Sequence, residues 1–498
     1  MFCWNDVLQY SPEPSIKPEE IIPKAFVIGG EPIEMEAPDK YTLVMKTAAP
    51  FTTLFKILTT LLYPYPVHYL KQFHPKYAES DRDPVEMWQE FEDVHAAITN
   101  PDLPSYGAWI TETVKEGELL TMKRNPYYWK VDPEGRQLPY IDGIRTTYVK
   151  DGEVQKLQLA AGLYDFCKWP PVDTVLFQQQ KAGNYALPLL DSYYFGPVVQ
   201  IPWVSKIHED PDDQKLAELL QNPQFLKALQ LGIDNQHVVT AYCTPALAEF
   251  LGGVVGHLIV DNSLLVGNKL DDPRVVEMWE FLEDWLRYDP DEANQILDEL
   301  GLKIGSDGYR HYPDGGRVEI AAGTWSDWQP VGEIGTMVGM EMEKDLKIKF
   351  YVSAKTWSDG VQPWYLDGDI PLLFVGAHIL PWDADFDVNN LFQRPATNWI
   401  ASDGAQGLKP HDAMIEPLRK LNELQDEFTQ IVDSERKVEL AVQAAELIIY
   451  NYISYPLMIG YQKQFFYAHN RIVNMPEAFV MYSIWRKAMR QEQWWIKE

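Results

Sequence analysis

The sequence predicts a mixed protein of α/β or α+β class, and three observations carry that expectation. Segments that alternate with period two and segments with apolar residues three and four apart follow one another along a single chain. Several of the helical segments open on an acid- or amide-proline pair, at Asn222-Pro223, Asp272-Pro273 and Asp289-Pro290. The first residue of such a pair can cap orphan amides, and the proline suits the first turn. The 498 residues, 46% hydrophobic and 23% charged, are ample for a buried core and fit about three domains at roughly 150 residues each.

The elements follow in order. Residues 1–95 are rich in proline and aromatics; 41–50 alternates like a strand ending at Pro50, and 64–78 reads as a short helix between prolines. Within 105–150, two period-two runs flank Lys115-Glu116-Gly117-Glu118, which predicts a hairpin, and a polar loop then leads to another strand. Residues 157–166 read as a short helix stopped by Gly162, with a strand entering. Beyond about residue 211 the pattern is helical. One face carries Phe225, Leu226, Leu229 and Ile233; a second carries Val275, Met278, Trp279, Leu282 and Leu286. A third carries Ala293, Ile296, Leu297 and Leu300, with Gly301 as its stop. Strands are expected over 317–325, 346–353 and 370–376. A late helix is capped by Asp433 and repeats Val438, Val442, Ala445, Ile449 and Tyr452.

Composition narrows the function. The net charge of −30, from 73 acidic and 43 basic side chains, repels phosphate backbones and anionic membranes, so no nucleic-acid partner is expected and a soluble monomer is. The three cysteines form no C-x-x-C and do not decide the compartment. The first residues lack a basic start, a long apolar stretch and a small-residue cleavage site, so no export signal is read there. The longest apolar run, 371–382, is too short to cross a bilayer.

Motifs for chemistry are missing. There is no P-loop, G-x-G-x-x-G, H-E-x-x-H or G-x-S-x-G. His68 and His74 are six apart and do not share a helix face at ligand spacing. Asp383-Ala384-Asp385-Phe386-Asp387 begins like a calcium loop, but Val388 and Arg394 stand where its glycine and glutamate are required. No metal, no cofactor and no catalytic residue is therefore expected. The 17 tryptophans are the unusual feature. Trp325, Trp328, Trp357, Trp364, Trp382 and Trp399 fall in loop-rich, polar stretches, where a flat indole can stack on a sugar ring or a peptide side chain. Core packing is the competing role for each.

One block is more specific. Residues 107–166 contain Arg124-Asn125-Pro126-Tyr127-Tyr128-Trp129, then Leu138-Pro139-Tyr140-Ile141-Asp142, then Ala161-Gly162-Leu163-Tyr164-Asp165-Phe166. This succession resembles the family 5 extracytoplasmic solute-binding proteins of bacterial peptide/oligopeptide ABC transporters. Residues 223–239 and 288–302 resemble two helices of that family, with Lys227 and Asn235 where arginines are usual, and 433–450 resembles a third. The resemblance implies a two-lobed periplasmic-binding-protein fold of class II type, with a hinge and an extra small domain. By analogy, 1–95 is the extra domain inserted in lobe one, 96–210 is lobe one, 211–450 is lobe two, and 451–498 returns to lobe one. Hinge strands fall near 193–203 and 450–460, and the chain is expected to be N-terminally truncated, starting inside the inserted domain.

The same resemblance implies a binding protein and not an enzyme. It would capture oligopeptides in the interlobe cleft and deliver them to ABC transporter permease subunits, outside the cytoplasm in its full-length form. Asp383, then Asp385, is the expected partner of a peptide α-amino group, although the glycine-aspartate-tyrosine wording of peptide binders is absent and both acids have a competing role as turn caps. Trp382, Trp325, Trp364 and Trp399 complete the expected ligand-binding set. An oligosaccharide ligand is the alternative, supported by the tryptophans; a hydrolase is a remote one.

Overall fold

The computed structural model describes residues 1–13, 15–16, 22, 26–52, 54, 65–79, 81–95, 100–167, 185–186, 189–200, 214–220, 222–235, 237–238, 271–326, 329–356, 372–378, 412–451, 457–458, 462–465, 467–475, 478–479 and 491–497. Within these the chain is mixed α/β, as the alternation of patterns predicts.

The first part is built from short pieces. β1 (Val27–Ile28) and β2 (Glu31–Pro32) form a hairpin whose turn, Gly29-Gly30, has φ of 66° and 83°, a conformation that glycine adopts without strain. β3 (Glu34–Glu36) pairs with β4 (Val44–Lys46), all that forms of the strand expected over 41–50. Trp4, Phe26, Ile28 and Ile33 make a small core beneath these hairpins. The helix expected over 64–78 reduces to one turn, α1 (Val67–Leu70), followed by turns. Sequence reading missed the next helix, α2 (Pro84–Val94). Asp83 caps it, accepting from the Val85 and Glu86 amides at 2.8 and 3.2 Å.

The block from 107 onward folds as read. β5 (Trp109–Lys115), β6 (Leu119–Arg124) and β7 (Gly143–Thr147) form an antiparallel three-stranded sheet, with Gly117 at φ 68° in the expected hairpin turn. α3 (Gly152–Ala160) begins five residues before the expected helix, because Asp151 caps it through the Val154 amide at 2.9 Å. Gly162, at φ 70°, ends it as predicted. β8 (Phe166–Cys167), β9 (Tyr185–Ala186) and the 12-residue β10 (Leu189–Gln200) follow.

Next come α4 (Gln214–Leu219), α5 (Pro223–Leu231), α6 (Pro273–Leu286) and α7 (Pro290–Glu299). Asn222, Asp272 and Asp289 each cap as expected, accepting from the amides of Gln224, Arg274 and Glu292. Phe225, Leu226, Leu229 and Ile233 are buried, as are Val275, Met278, Leu282, Leu286, Ala293, Ile296 and Leu297; Trp279 and Leu300 pack partly buried against them.

The hairpin of β11 (Lys303–Ile304) and β12 (Arg310–His311) leads into β13 (Glu319–Trp325), α8 (Gln329–Leu346), β14 (Lys349–Lys355) and β15 (Leu372–His378). The three expected strands are thus present, with ends displaced by at most three residues. β13 and β14 are parallel and joined by a helical crossover. α8 lies so close to this sheet that a Cβ on Gly339 would come 2.5 Å from Val352 Cγ2.

α9 (Asp412–Gln430) precedes α10 (Ser434–Tyr450), whose cap Asp433 accepts from the Arg436 amide at 2.6 Å. Val442, Ala445 and Ile449 are buried, Val438 is half-buried, and Tyr452 lies outside the described residues. Arg274 on α6 forks Glu439 on α10 with two 2.8 Å bonds, and that guanidinium holds the Glu439 carboxyl down to about 2. Helices α5 to α10 and strands β13 to β15 enclose the main core.

The chain ends with β16 (Leu457–Met458), β17 (Gln462–Phe465), β18 (Tyr467–His469), β19 (Ile472–Val473), β20 (Ala478–Phe479) and β21 (Trp495–Ile496). β18 pairs with β8 and β9, β19 with β21, and the Tyr140 amide donates to Glu492 O, so these residues return to the part of the molecule built from 107–186. Among the described residues the largest sheet has seven strands, ordered β14-β13-β15-β10-β16 with β17 and β20 also on β10.

Candidate functional site

Strand direction determines where the candidate residues are delivered. β13 is parallel to both β14 and β15, with Trp325 opposite Lys355 and Gly323 opposite Leu373. All three strands therefore end at one end of the sheet. In open α/β sheets, ligands bind in the crevice outside the carboxyl ends of the strands. Trp325 is the last residue of β13. The connection after β14 carries Trp357 and Trp364 in its sequence, and that after β15 carries Trp382, Asp383, Asp385 and Trp399. Trp364, Trp382, Asp383, Asp385 and Trp399 lie outside the described residues, as do Trp328 and Trp357. The described backbone thus brings together the ends of the three strands, not the side chains.

β10 adds a second feature to this end of the sheet. It runs antiparallel to β15, with Tyr194 opposite His378 and Gln200 opposite Leu373. Its amino-terminal part runs beyond the end of β15, pairing Tyr194 with Gln462 and Leu189 with Phe465, and Leu189 with Ala478 in parallel. One strand is therefore shared by the β13–β15 set and the C-terminal strands. Its pairing with β15 shifts register between Tyr194 and Pro197, across Gly196-Pro197, where proline has no amide to donate. Tyr194, His378 and Gln462 were not read from sequence as site residues. Only strand register brings them together, and no local motif announces it.

The signature block is a rigid clamp. Asn125 is buried; its side-chain amide donates to Ser105 O and Gly107 O at 3.2 and 2.8 Å, and its carbonyl accepts from the Tyr127 amide at 2.9 Å. Trp109 Nε1 donates to Ile141 O at 3.1 Å. Asp132, buried, accepts from Tyr140 Oη at 2.5 Å, Arg136 Nε at 2.6 Å and the Arg136 amide at 2.8 Å. The Tyr140 hydroxyl first, and Arg136 after it, hold its carboxyl down to about 2 against opposing burial. Asp165 ties its block to the C-terminal strands: Arg471 donates to its carboxylate and the His469 amide to its carbonyl. These residues of the signature hold local structure together.

A carboxyl whose folded pKa is depressed stabilises the fold above its ordinary value, and that contribution is lost as pH falls through the folded value. Asp132→Asn is therefore expected to lower the melting temperature near neutral pH. The deficit should close as pH falls from about 4 to about 2, where the parent loses the same charge. Thermal melts of both proteins across that range check this; a deficit constant with pH would mean that the carboxylate's charge is not what holds the loop.

Among the described residues no three His, Cys, Asp or Glu side chains gather as a metal site would need, and no helix is long and apolar enough to cross a membrane. Burial pushes the Cys167 thiol up to about 12, which keeps it protonated and unreactive.

Residues 5–399 match the family described as bacterial extracellular solute-binding proteins, family 5. A periplasmic alpha-galactoside-binding protein of Rhizobium meliloti is 28% identical over 363 residues, covering 69% of this chain and 47% of the relative. The chain spans about half the length of the curated relatives it matches. The periplasmic binding protein MelB of Agrobacterium fabrum, solved with stachyose, shares the fold at TM-score 0.72 and 19% identity, covering 100% of this chain and 71% of that one. AppA of Bacillus subtilis, solved with a nonapeptide, does so at TM-score 0.66 and 18% identity, covering 99% and 83%.

Proposed function

The chain belongs to the bacterial extracellular solute-binding proteins of family 5, and from that membership we propose that it captures an oligosaccharide between two lobes, outside the cytoplasm, for an ABC transporter permease. The observation that carries this reading is topological. Three parallel strands direct three connections that are rich in tryptophan to one end of the sheet, beside a strand shared with the C-terminal segment. Indole faces suit sugar rings, and sugars need no strong counter-charge. The similarity to an alpha-galactoside-binding protein supports the same ligand class. β10 would act as a hinge, bending at Gly196-Pro197, and closure would bury the sugar between contacts that exist together only in the closed state.

Oligopeptides are the second reading. Asp383 and Asp385 stand on the connection after β15, where a carboxylate could meet a peptide amine, and a peptide-bound relative shares the fold. A thermal-shift panel of raffinose, stachyose and mannohexaose against di- to hexapeptides separates the two. A ligand at about 100 times its Kd stabilises the folded state by about 2.7 kcal/mol. A shift with sugars that Trp364→Ala or Trp382→Ala removes is the expected result. A shift with peptides alone, removed by Asp383→Asn, would replace the sugar reading; no shift with either class would overturn solute capture by this chain.

A further inference from the structure

The Arg124–Trp129 signature leaves two aromatic side chains that the clamp does not use. Trp129 is 70% exposed and Tyr127 90% exposed, although the loop that carries them is firmly held. The exposed indole offers a flat apolar face and one N–H donor to a ligand. Trp129 borders an open surface cavity of about 480 Å³ that Val131, Leu138, Lys130, Glu492 and Gln493 also line. That volume is in the range of small-molecule sites and would admit a sugar ring.

We propose that this cavity is a second, surface carbohydrate subsite, separate from the interlobe cleft, with Trp129 as its stacking face and a neutral sugar ring as its ligand. Two features select that chemistry. The first is charge. Lys130 Nζ donates to Glu492 Oε1 at 3.0 Å, so the two ions of the cavity neutralise each other and leave no spare counter-charge for an anionic or cationic ligand. A neutral polyol can still hydrogen-bond to both and to the Gln493 amide. The second is preorganisation. Gln137 Nε2 donates to Pro126 O and Tyr128 O at 2.8 and 2.9 Å, on either side of Tyr127, and the Leu138 amide donates to Lys130 O at 3.1 Å. The Lys130 ammonium lies 5.4 Å from the centre of the Trp129 ring and steadies the indole. Little entropy remains to be lost when a ring stacks there. Glu492 is itself buried, and its backbone carbonyl accepts from the Tyr140 amide, so the opposite wall is as fixed as the platform.

The subsite does not depend on what the cleft binds, and its test is local. The full chain is labelled with 5-fluorotryptophan, and the fluorine resonance lost in Trp129→Phe is assigned to Trp129. Adding raffinose should shift that resonance with a saturating curve, whereas sorbitol, which has no ring to stack, should not. Trp129→Ala should weaken binding of raffinose at this site by about tenfold or more without changing the melting temperature, since the side chain is exposed. A Trp129 resonance unmoved through the raffinose titration, or moved equally by sorbitol, would overturn the proposal whatever the other tryptophans report about the cleft.

Discussion

Arg310→Met is expected to destabilise the protein by about 3–5 kcal/mol, the summed cost of leaving several acceptors around a buried guanidinium without their donor. Arg310 is 1% exposed, and its guanidinium serves two helix ends at once. Nε donates to Leu346 O at 2.8 Å, at the end of α8, and Nη1 donates to Leu302 O just beyond α7. Nη1 also reaches Asp298 Oδ1 at 2.9 Å and Nη2 reaches Asn294 Oδ1 at 2.7 Å. A helix C-terminus carries orphan carbonyls and a partial negative charge, so a buried cation there satisfies both. Methionine fills a similar volume but takes the guanidinium donors from the Leu346 and Leu302 carbonyls and from Asn294 Oδ1, while the half-exposed Asp298 keeps Lys303 at 3.7 Å. Arg310→Lys keeps the charge and not the fork, and should recover less than half of the loss. Urea denaturation of the three proteins measures this; a loss below about 1 kcal/mol for the methionine variant would show that water replaces the guanidinium without penalty.

Arg310 also shows where sequence reading stops. The caps at Asn222, Asp272, Asp289 and Asp433 were legible because a cap is local chemistry: the acceptor and the amide it serves are two or three residues apart. α8 was not legible. Gly332, Gly335 and Gly339 make its sequence a poor helix former, and the close approach of Gly339 to Val352 that rewards a glycine exists only after the sheet has formed. α9 is absent from the sequence reading; it contains Pro417, yet Leu421, Leu424 and Phe428 beyond it carry a buried helical stripe. On α3, Leu157 is 71% exposed and Leu159 buried, a facing that the short-helix reading of 157–166 did not specify.

The candidate site divides in the same way. Composition drew attention to Trp325, Trp364, Trp382 and Trp399, and the family resemblance to Asp383 and Asp385. That their strands run parallel, and that β10 crosses the same end, depends on pairing between residues far apart in the chain. The signature block was recognisable as a pattern, but its burial of Asn125 and Asp132 gives it a structural meaning that the pattern does not state.

The second large effect is a loss of stability on mild acidification, centred on His74. The ring is fully buried and both nitrogens are engaged. Nδ1 accepts from the Lys76 amide at 3.1 Å, which places the proton on Nε2, and Nε2 donates to Asp6 O at 2.5 Å. Phe2, Tyr10, Tyr77, Trp88 and Phe91 surround it. Burial first of all pushes the His74 pKa below its ordinary value; the hydrogen bond to the Asp6 carbonyl, and then the Asp6 carboxylate, oppose this shift, and the Lys76 ammonium adds to it. Asp6 is already committed, to Lys76 Nζ at 2.5 Å and Tyr77 Oη at 2.8 Å, so it cannot turn to serve a protonated ring. A second ring proton would sit on Nδ1, facing the Lys76 N–H, donor against donor.

The sign follows. Above about pH 6.5 the imidazole is neutral in both states and costs nothing; below it the unfolded chain takes up a proton that the folded chain refuses. Stability should then fall by up to about 1.4 kcal/mol per pH unit until the folded value is reached. The amino-terminal segment, held to His74 through the Asp6 carbonyl, should loosen first. Hydrogen exchange over residues 1–10 at about pH 7.5 and 5.5, corrected for intrinsic rates, checks this against His74→Gln, which does not titrate. The variant should be less stable than the parent at the higher pH, with the difference shrinking as pH falls. Equal acid sensitivity of the two proteins in this segment would place the titrating group elsewhere.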